Sequence, residues 1–546
     1  MAISEIILTL IPRTPEGELS FLTEMDIQTL ITNDVFPEEN RVQFRLQRAA
    51  ASTELALLDA EIALAELDLE SESTESPAYN FFVARKRRRK LLALIAACNI
   101  ATAPQKYLPA ELLSFIFQLS FSGYPTYLPP VGWNINPLAL CHTCSRWRRV
   151  ALNTPELWTD VVFRYARELD PYTTLEIVEE WYTRSGPSTS LSLGVNSWAH
   201  HTYRSDHDEV MQAILRRLVV PYVHRFRHLK LQLPGADIQS LMTMPNLSFP
   251  LLRSFQLVLD PWVKEDQDVW TRMDYKETNG SFWENVPQLT DLEVHNFQGC
   301  IFIDTNFFPW TRLTRFCSDS SPMSVSQSQA ILRRCRKMVE FTLNLDVMLR
   351  GNEKAPVLTP NIELLHLRRF DITFGNSSLI QPFLQPLFIP NVKELNIRSI
   401  EKMDIWDPGP LKSLLSRSCY DIEILHIWNF HLGGEVVAEI VHISPSLSVL
   451  LVGVEHLLPK STLEEIARGR LLPNLRSLVC RIDDLETAIQ LIENRLAGCE
   501  FNGAFARPSF FMLDYISRQS ITHDQAIRVD RLREKGVEVE ITPLYM

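Results

Sequence analysis

The stretch Pro390-Asn391-Val392-Lys393-Glu394-Leu395-Asn396-Ile397 has a counterpart in Asp421-Ile422-Glu423-Ile424-Leu425-His426-Ile427. In each, an apolar residue is followed three positions on by a second and two positions later by a third. The triads are Val392/Leu395/Ile397 and Ile422/Leu425/Ile427. Apolar residues two apart lie on one face of a strand. The same spacing recurs through most of the chain. Its middle residues are Leu229, Phe255, Leu292, Phe316, Phe341, Leu365, Leu395, Leu425, Leu450 and Leu478, separated by 24 to 37 residues. A recurrence in the mid-twenties predicts short strands, each stacked in parallel on the next.

Between them, helices are expected over 324–336, 410–416, 435–441, 462–468 and 485–496. An opening strand is expected over 189–193, and a closing helix and strand over 524–535 and 537–541. Trp262, Trp270, Trp283 and Trp310 fall in longer intervals and are expected to cover the flank of the stack.

This pattern resembles leucine-rich repeats, which implies an irregular solenoid with a curved parallel sheet. It departs from the family five residues past the middle position, where Asn or Cys is usual. Here Phe297, Phe370, Ile400 and Phe430, or acids such as Asp260, Asp346 and Asp483, stand instead. Residues one and three past the middle position point away from the core. In the C-terminal half these include His366, Arg368, Arg398, His426, Trp428 and Arg481. Aromatic residues flanked by Arg are the composition of an interface hot spot. The expected ligand of this face is a protein target, acidic or phosphorylated where it meets the C-terminal half. A solvated face with no special role reads the same residues equally well.

Upstream stands Leu108-Pro109-Ala110-Glu111-Leu112-Leu113, then Ile116-Phe117. Later come Cys144-Ser145-Arg146-Trp147-Arg148-Arg149 and Thr154-Pro155-Glu156-Leu157-Trp158. Pro109 suits a helix start, where it has no N–H to lose. Trp147, Val150 and Ala151 define a second apolar helix, and Leu157-Trp158 a clasp after a Pro stop. A bundle of this size has little interior of its own.

The segment resembles an F-box domain, most closely those of mushroom-forming fungi. The resemblance implies docking to a Skp-type adaptor and through it to a cullin–RING ubiquitin ligase. Leu108, Pro109, Leu112, Leu113, Ile116 and Phe117 would then face the adaptor, with Trp147, Leu157 and Trp158 forming or bracing the rest of that surface. Ser120 to Pro137 is longer than the family's connection and is expected to form a surface loop.

Before the F-box, Leu46, Ala50, Thr53, Leu57, Ala60, Leu64 and Leu67 alternate four and three apart. That 3.5-residue period turns one seam toward a partner helix. A second stripe, Leu55, Leu58, Ile62, Ala65 and Leu69, runs beside it. A helical hairpin turning at 71–77 is expected. Acids on the first helix would face Arg85-Lys86-Arg87-Arg88-Arg89-Lys90 on the second. The basic run also fits a nuclear-import or nucleic-acid patch.

The 546 residues carry a formal net charge of −12, which argues against a nucleic-acid partner. No apolar run approaches a membrane span, and a membrane partner is not expected. The nine cysteines show no disulfide framework, which points to a cytoplasmic or nuclear setting. No phosphate-binding loop, nucleophile elbow or zinc signature is present. No cofactor, metal or catalytic residue is expected, and the chain reads as a non-enzyme. Cys141 and Cys144 are expected to pack, and His200, His201 and His207 to belong to a polar loop.

The expected fold is α+β or α/β, in four parts: a loosely ordered lead (1–40), a coiled-coil-like hairpin (41–103), an F-box bundle (104–160) and a leucine-rich-repeat solenoid (161–546). The function this implies is target recognition within an SCF-type ubiquitin ligase, feeding protein degradation. The alternative is a protein-interaction scaffold without ligase association.

Overall fold

The computed structural model describes residues 36–69, 77–128, 136–164, 170–196, 207–233, 235–244, 247–259, 281–295, 308–346, 361–403, 407–418, 421–430, 433–453, 457–482, 484–502, 506–516 and 521–544. The expected lead up to residue 35, the turn at 70–76, His200, His201, Trp262 and Trp270 lie outside them, as does 129–135 of the expected loop. The chain divides into two compact units. One runs to Val162 and includes Glu176–Thr189; the other comprises Phe163–Leu175 and everything from Ser190.

The first unit begins with two long helices, α1 (Glu38–Leu69) and α2 (Pro77–Ala101). Arg48 donates to Asn99 at 3.2 Å, Arg87 to Glu54 at 2.7 Å and Arg88 to Asp59 at 2.6 Å. Low numbers on one helix meet high numbers on the other, so the two run antiparallel. Ala51, Leu58 and Leu91 form the shared core, with Leu55 and Ile62 packed against it. The seam expected to face the partner helix is instead turned outward: Leu46, Leu57 and Leu64 are 67%, 64% and 63% exposed. Both stripes are apolar, so spacing alone does not separate them. Arg87–Glu54 and Arg88–Asp59 cross the hairpin as exposed ion pairs, which add little.

Next come α3 (Ala110–Phe121), strand β1 (Thr126–Leu128), α4 (Leu138–Cys141), α5 (Ser145–Leu152), strand β2 (Asp160–Arg164) and α6 (Pro171–Arg184). α3 buries Leu113 and Phe117, the latter 5.0 Å from the ring of Trp147. Trp158 is fully buried. It donates its indole N–H to the Ala151 carbonyl at 2.9 Å and stacks edge-on against Trp181 at 4.7 Å. Cys144 caps α5 by accepting from the Trp147 backbone N–H at 3.4 Å, and Cys141 is buried. Both thiols therefore serve packing and capping in this unit.

The second unit is built on a large, open, parallel sheet with helices along its length. Its strands are β3 (Leu191–Asn196), β4 (Phe226–Leu233), β5 (Ser254–Leu259), β6 (Asp291–His295), β7 (Arg315–Met323), β8 (Glu340–Leu345), β10 (Arg369–Phe374), β12 (Glu394–Met403), β13 (Ile424–Phe430), β14 (Val449–Val452), β15 (Ser477–Ile482), β16 (Phe510–Ile516) and β17 (Glu538–Leu544). They lie side by side in chain order. Two short strands, β9 (Ile362–Glu363) and β11 (Leu387–Phe388), pair separately.

Helices in the intervals include α7 (His207–Ile214), α8 (Gly235–Thr243), α9 (Ser281–Glu284), α10 (Val325–Leu332), α11 (Ile380–Leu384), α12 (Gly409–Ser418), α13 (Gly434–Ile443), α14 (Lys460–Ala467), α15 (Leu485–Asn502) and α16 (His523–Glu534). Parallel neighbours need such crossovers, because a tight turn cannot return the chain to the same end of the sheet.

One row of the sheet runs Leu193, Leu229, Phe255, Leu292, Phe316, Phe341, Phe370, Leu395, Leu425, Leu450, Leu478, Phe511 and Val539, each beside the next. Every middle residue read from the sequence stands in this row except Leu365. That residue is 49% exposed, and Phe370 takes its place. The segment 362–367 contains a valid triad five residues too early, and its first residues pair with β11 instead. Leu367/Phe370/Ile372 is the triad the sheet uses. Phe430, five past Leu425, is buried, whereas Ile400, five past Leu395, is 52% exposed.

An aromatic series threads the core. Trp283 lies 5.0 Å from Phe308, Phe308 5.3 Å from Trp310, Trp310 4.9 Å from Phe316, and Phe316 5.4 Å from Phe341. Trp283 and Trp310 are thus core residues, not a covering of the flank.

Candidate functional site

In the first unit, α3 carries Leu112, Phe115, Ile116 and Leu119, which are 49%, 56%, 43% and 61% exposed. Their spacing places them on one helical face. Leu113 and Phe117 occupy the other and fix the helix to the bundle. The Ser114 and Thr154 hydroxyls, 2.9 Å apart, tie α3 to the loop before Trp158. Gln118 donates to Glu156 at 3.2 Å beside them. Arg146 donates to the carbonyls of Lys106 and Leu108, anchoring the entry to α3.

Among the residues expected to face an adaptor, Pro109, Leu112 and Ile116 are therefore exposed, and Leu108 and Trp147 partly so. Leu113, Phe117, Leu157 and Trp158 are buried in the unit itself. Phe115 and Leu119 complete the exposed stripe. The F-box motif does not include them; their spacing of three and seven from Leu112 places them on its face.

In the second unit, the outward face of the sheet carries an ordered set of charges. The residues one before the row described above are Asp291, Arg315, Glu340, Arg369 and Glu394, on five successive strands. Their signs alternate. Arg315 reaches Asp291 at 3.2 Å, Glu293 at 3.0 Å and Glu340 at 3.3 Å. Arg369 reaches Asp371 at 3.0 Å and Glu394 at 3.6 Å. Burial works against the charge on Arg315, but Asp291 and Glu293 outweigh it and raise its pKa. Burial also raises Asp291, against the pull of Arg315.

Beside this series, Asn396 is buried and donates to Asp371, and to Glu394 at 3.0 Å. Further along, the residues one past the row turn apolar: Leu451, Val479 and Met512 follow His426.

The residues expected to hold a target are distributed unevenly. Arg398 is exposed and stands beside Trp428 on the neighbouring strand. Trp428 is partly buried, and Gly453, just past the end of β14, lies beside its ring. His426 is half-buried; burial lowers its pKa, so it is neutral at pH 7. Arg481 is also half-buried.

His366 and Arg368 are not on a strand, because the sheet uses Phe370 where Leu365 was expected. Asp371 and Thr373 occupy the outward positions of β10. His366 and Arg368 instead line an open cleft of about 590 Å³ with Lys337, Val339, Leu365 and Asn391. The cleft lies at the entry to the strands, where Arg368 donates its backbone N–H to the Val339 carbonyl at 2.7 Å.

One further cluster lies on β6 and β7. The Nδ1 of His295 is 2.7 Å from Asp319, and its Nε2 is 3.6 Å from Glu293. Cys317 stands beside Glu293 in the parallel register. Burial, with Asp319 and Glu293, pushes its thiol up to about 11.

No protein-family model matches this chain, and no curated protein matches it either.

Three arrangements can thus engage other molecules. The α3 stripe offers apolar area, the sheet face offers Arg398 and Trp428, and the strand-entry cleft offers cations. Among the described residues no helix is long and apolar enough to cross a membrane.

Proposed function

We propose that the chain is the target-recognition subunit of a Skp–cullin–RING ubiquitin ligase, with an F-box in its first unit and leucine-rich repeats in its second. The observation that carries this reading is the stripe Leu112, Phe115, Ile116 and Leu119 on a short helix whose other face is fully packed. Full burial of such side chains is worth about 1.5–3 kcal/mol each. An apolar patch of this kind marks a docking surface. The helix carries it within the segment that resembles an F-box, so a Skp-type adaptor is its partner.

The sheet unit then holds the target. Arg398 and Trp428 supply a hot-spot pair. Arg315 and Arg369 contribute little to an acidic partner, because Asp291, Glu293, Glu340, Asp371 and Glu394 already neutralise them. The cations for an acidic group on the target are Lys337 and Arg368, with His366 beside them in the cleft. The ligation chemistry belongs to other subunits, and this chain supplies proximity and orientation.

The test is co-purification with a Skp-type adaptor. Wild-type protein binds it, and Leu112→Asp with Ile116→Asp abolishes binding while leaving the melting transition intact. Wild-type protein that fails to bind the adaptor overturns the ligase reading and leaves a leucine-rich-repeat scaffold.

A further inference from the structure

We infer that His295, Cys317 and Asp319 form a binding site for a borderline divalent cation of the zinc class. One ligand atom from each, the His nitrogen, the Cys sulfur and an Asp oxygen, all lie within 4.8 Å of one another. Zinc bonds of about 2.0–2.3 Å in a tetrahedral array place such donors about 3.3–3.8 Å apart. A cation therefore enters with shifts of about 1 Å, opening the 2.7 Å contact between His295 Nδ1 and Asp319 and closing the wider separations.

The fold explains why the three converge. His295 ends β6, and Cys317 lies on the adjacent strand β7. The β7–β8 register is broken between Ser318 and Pro322, so the chain departs from regular pairing just before Asp319. Such breaks re-aim side chains. Asn344 donates to the Asp319 carbonyl at 3.3 Å and holds the departing segment in place.

A second feature points the same way. Glu293 faces the His295 nitrogen on the far side of the ring from Asp319. Histidine ligands to metals are usually oriented by a carboxylate on their second nitrogen, which fixes the ring and strengthens the first as a donor. At 3.6 Å Glu293 stands just beyond hydrogen-bond distance, and a small approach on metal binding gives it this positioning role.

Nitrogen, sulfur and oxygen donors together suit Zn²⁺ or Co²⁺ better than Mg²⁺ or Ca²⁺, which prefer oxygen alone. Asp319 is 59% exposed, so the fourth position opens to solvent. Binding replaces the Cys317 thiol proton with the metal and releases that proton to water, with no change in oxidation state.

The experiment uses the full chain, reduced and stripped with chelator, and titrates it with Co²⁺ and Zn²⁺. One equivalent of Co²⁺ is expected to produce a sulfur-to-cobalt charge-transfer absorption in the near ultraviolet. Zn²⁺ is expected to displace it and to raise the melting temperature. Cys317→Ser abolishes the absorption, and Cys499→Ser on α15 leaves it unchanged. Glu293→Gln keeps the absorption but weakens Co²⁺ affinity about tenfold. Circular dichroism of each metal-free variant checks that it folds. No absorption and no thermal shift in folded, reduced wild-type protein overturn the inference, as does an absorption that survives Cys317→Ser.

Discussion

The guanidinium of Arg495 donates to the carbonyl oxygen of Leu475 at 3.0 Å from a side chain with no solvent exposure. It also donates to Pro473 at 2.8 Å and to Ile466 at 3.3 Å. Burial pulls its pKa down to about 10, so it keeps its charge at pH 7. α15 thereby ties down the chain leading into β15. Removing the side chain strands buried carbonyls and leaves a cavity, costing about 3–5 kcal/mol in total. Arg495→Ala is expected to lower the melting temperature of the sheet unit markedly. A melting curve like that of wild type refutes this role.

The two faces of α3 should respond oppositely. Phe117→Ala removes a buried ring and is expected to cost about 3–5 kcal/mol. Leu119→Asp is expected to change stability by less than about 0.5 kcal/mol while weakening adaptor capture. Thermal melts and pull-downs on the two variants separate core from contact surface.

Arg315 is shared by three acids on neighbouring strands. It is nearly half exposed, so screening limits its worth, and Arg315→Ala is expected to cost about 1 kcal/mol. The variant leaves Asp291, Glu293 and Glu340 facing one another. Added salt should therefore stabilise it more than it stabilises the wild type. Melting temperatures across a salt series check this.

Asp160 gives a pH signature. Burial pushes its carboxyl from 3.8 up to about 6. The folded state then holds the proton more tightly than the unfolded chain does. Stability contributed by the protonated form is present at acid pH and is lost as pH rises through 6. Asp160→Asn is expected to stabilise the protein at pH 7 by up to about 2 kcal/mol and to have little effect near pH 4. Paired melts at the two pH values decide it.

If the sheet face holds the target, Arg398→Glu should reduce target capture in cells at least tenfold while the adaptor stays bound. Arg368→Glu tests the strand-entry cleft separately. Capture unaffected by either substitution removes both surfaces from the target site.

The sheet was legible because its core positions repeat: a residue such as Leu395 must be apolar on every strand, whatever surrounds it. Leu365 shows where that rule fails. Two overlapping triads share Leu367, and apolar spacing cannot choose between them. The choice falls to pairing, since Phe370 meets both Phe341 and Leu395 in register. β16 does not show the pattern because Pro508 stands three before Phe511, where β12 and β13 are preceded by Val392 and Ile422. On α1 two apolar stripes lie side by side, and their spacing alone does not say which one packs with Leu91 of α2. His295, Cys317 and Asp319 are separated along the chain and meet only through strand register. Spacing motifs of the zinc-finger kind cannot reveal such a group.

Because β17 bonds within the sheet only to β16, the molecule has a mechanical grain. A tug on its C-terminal end loads one seam at a time. Under force it should unzip as a series of small steps and reseal in reverse order.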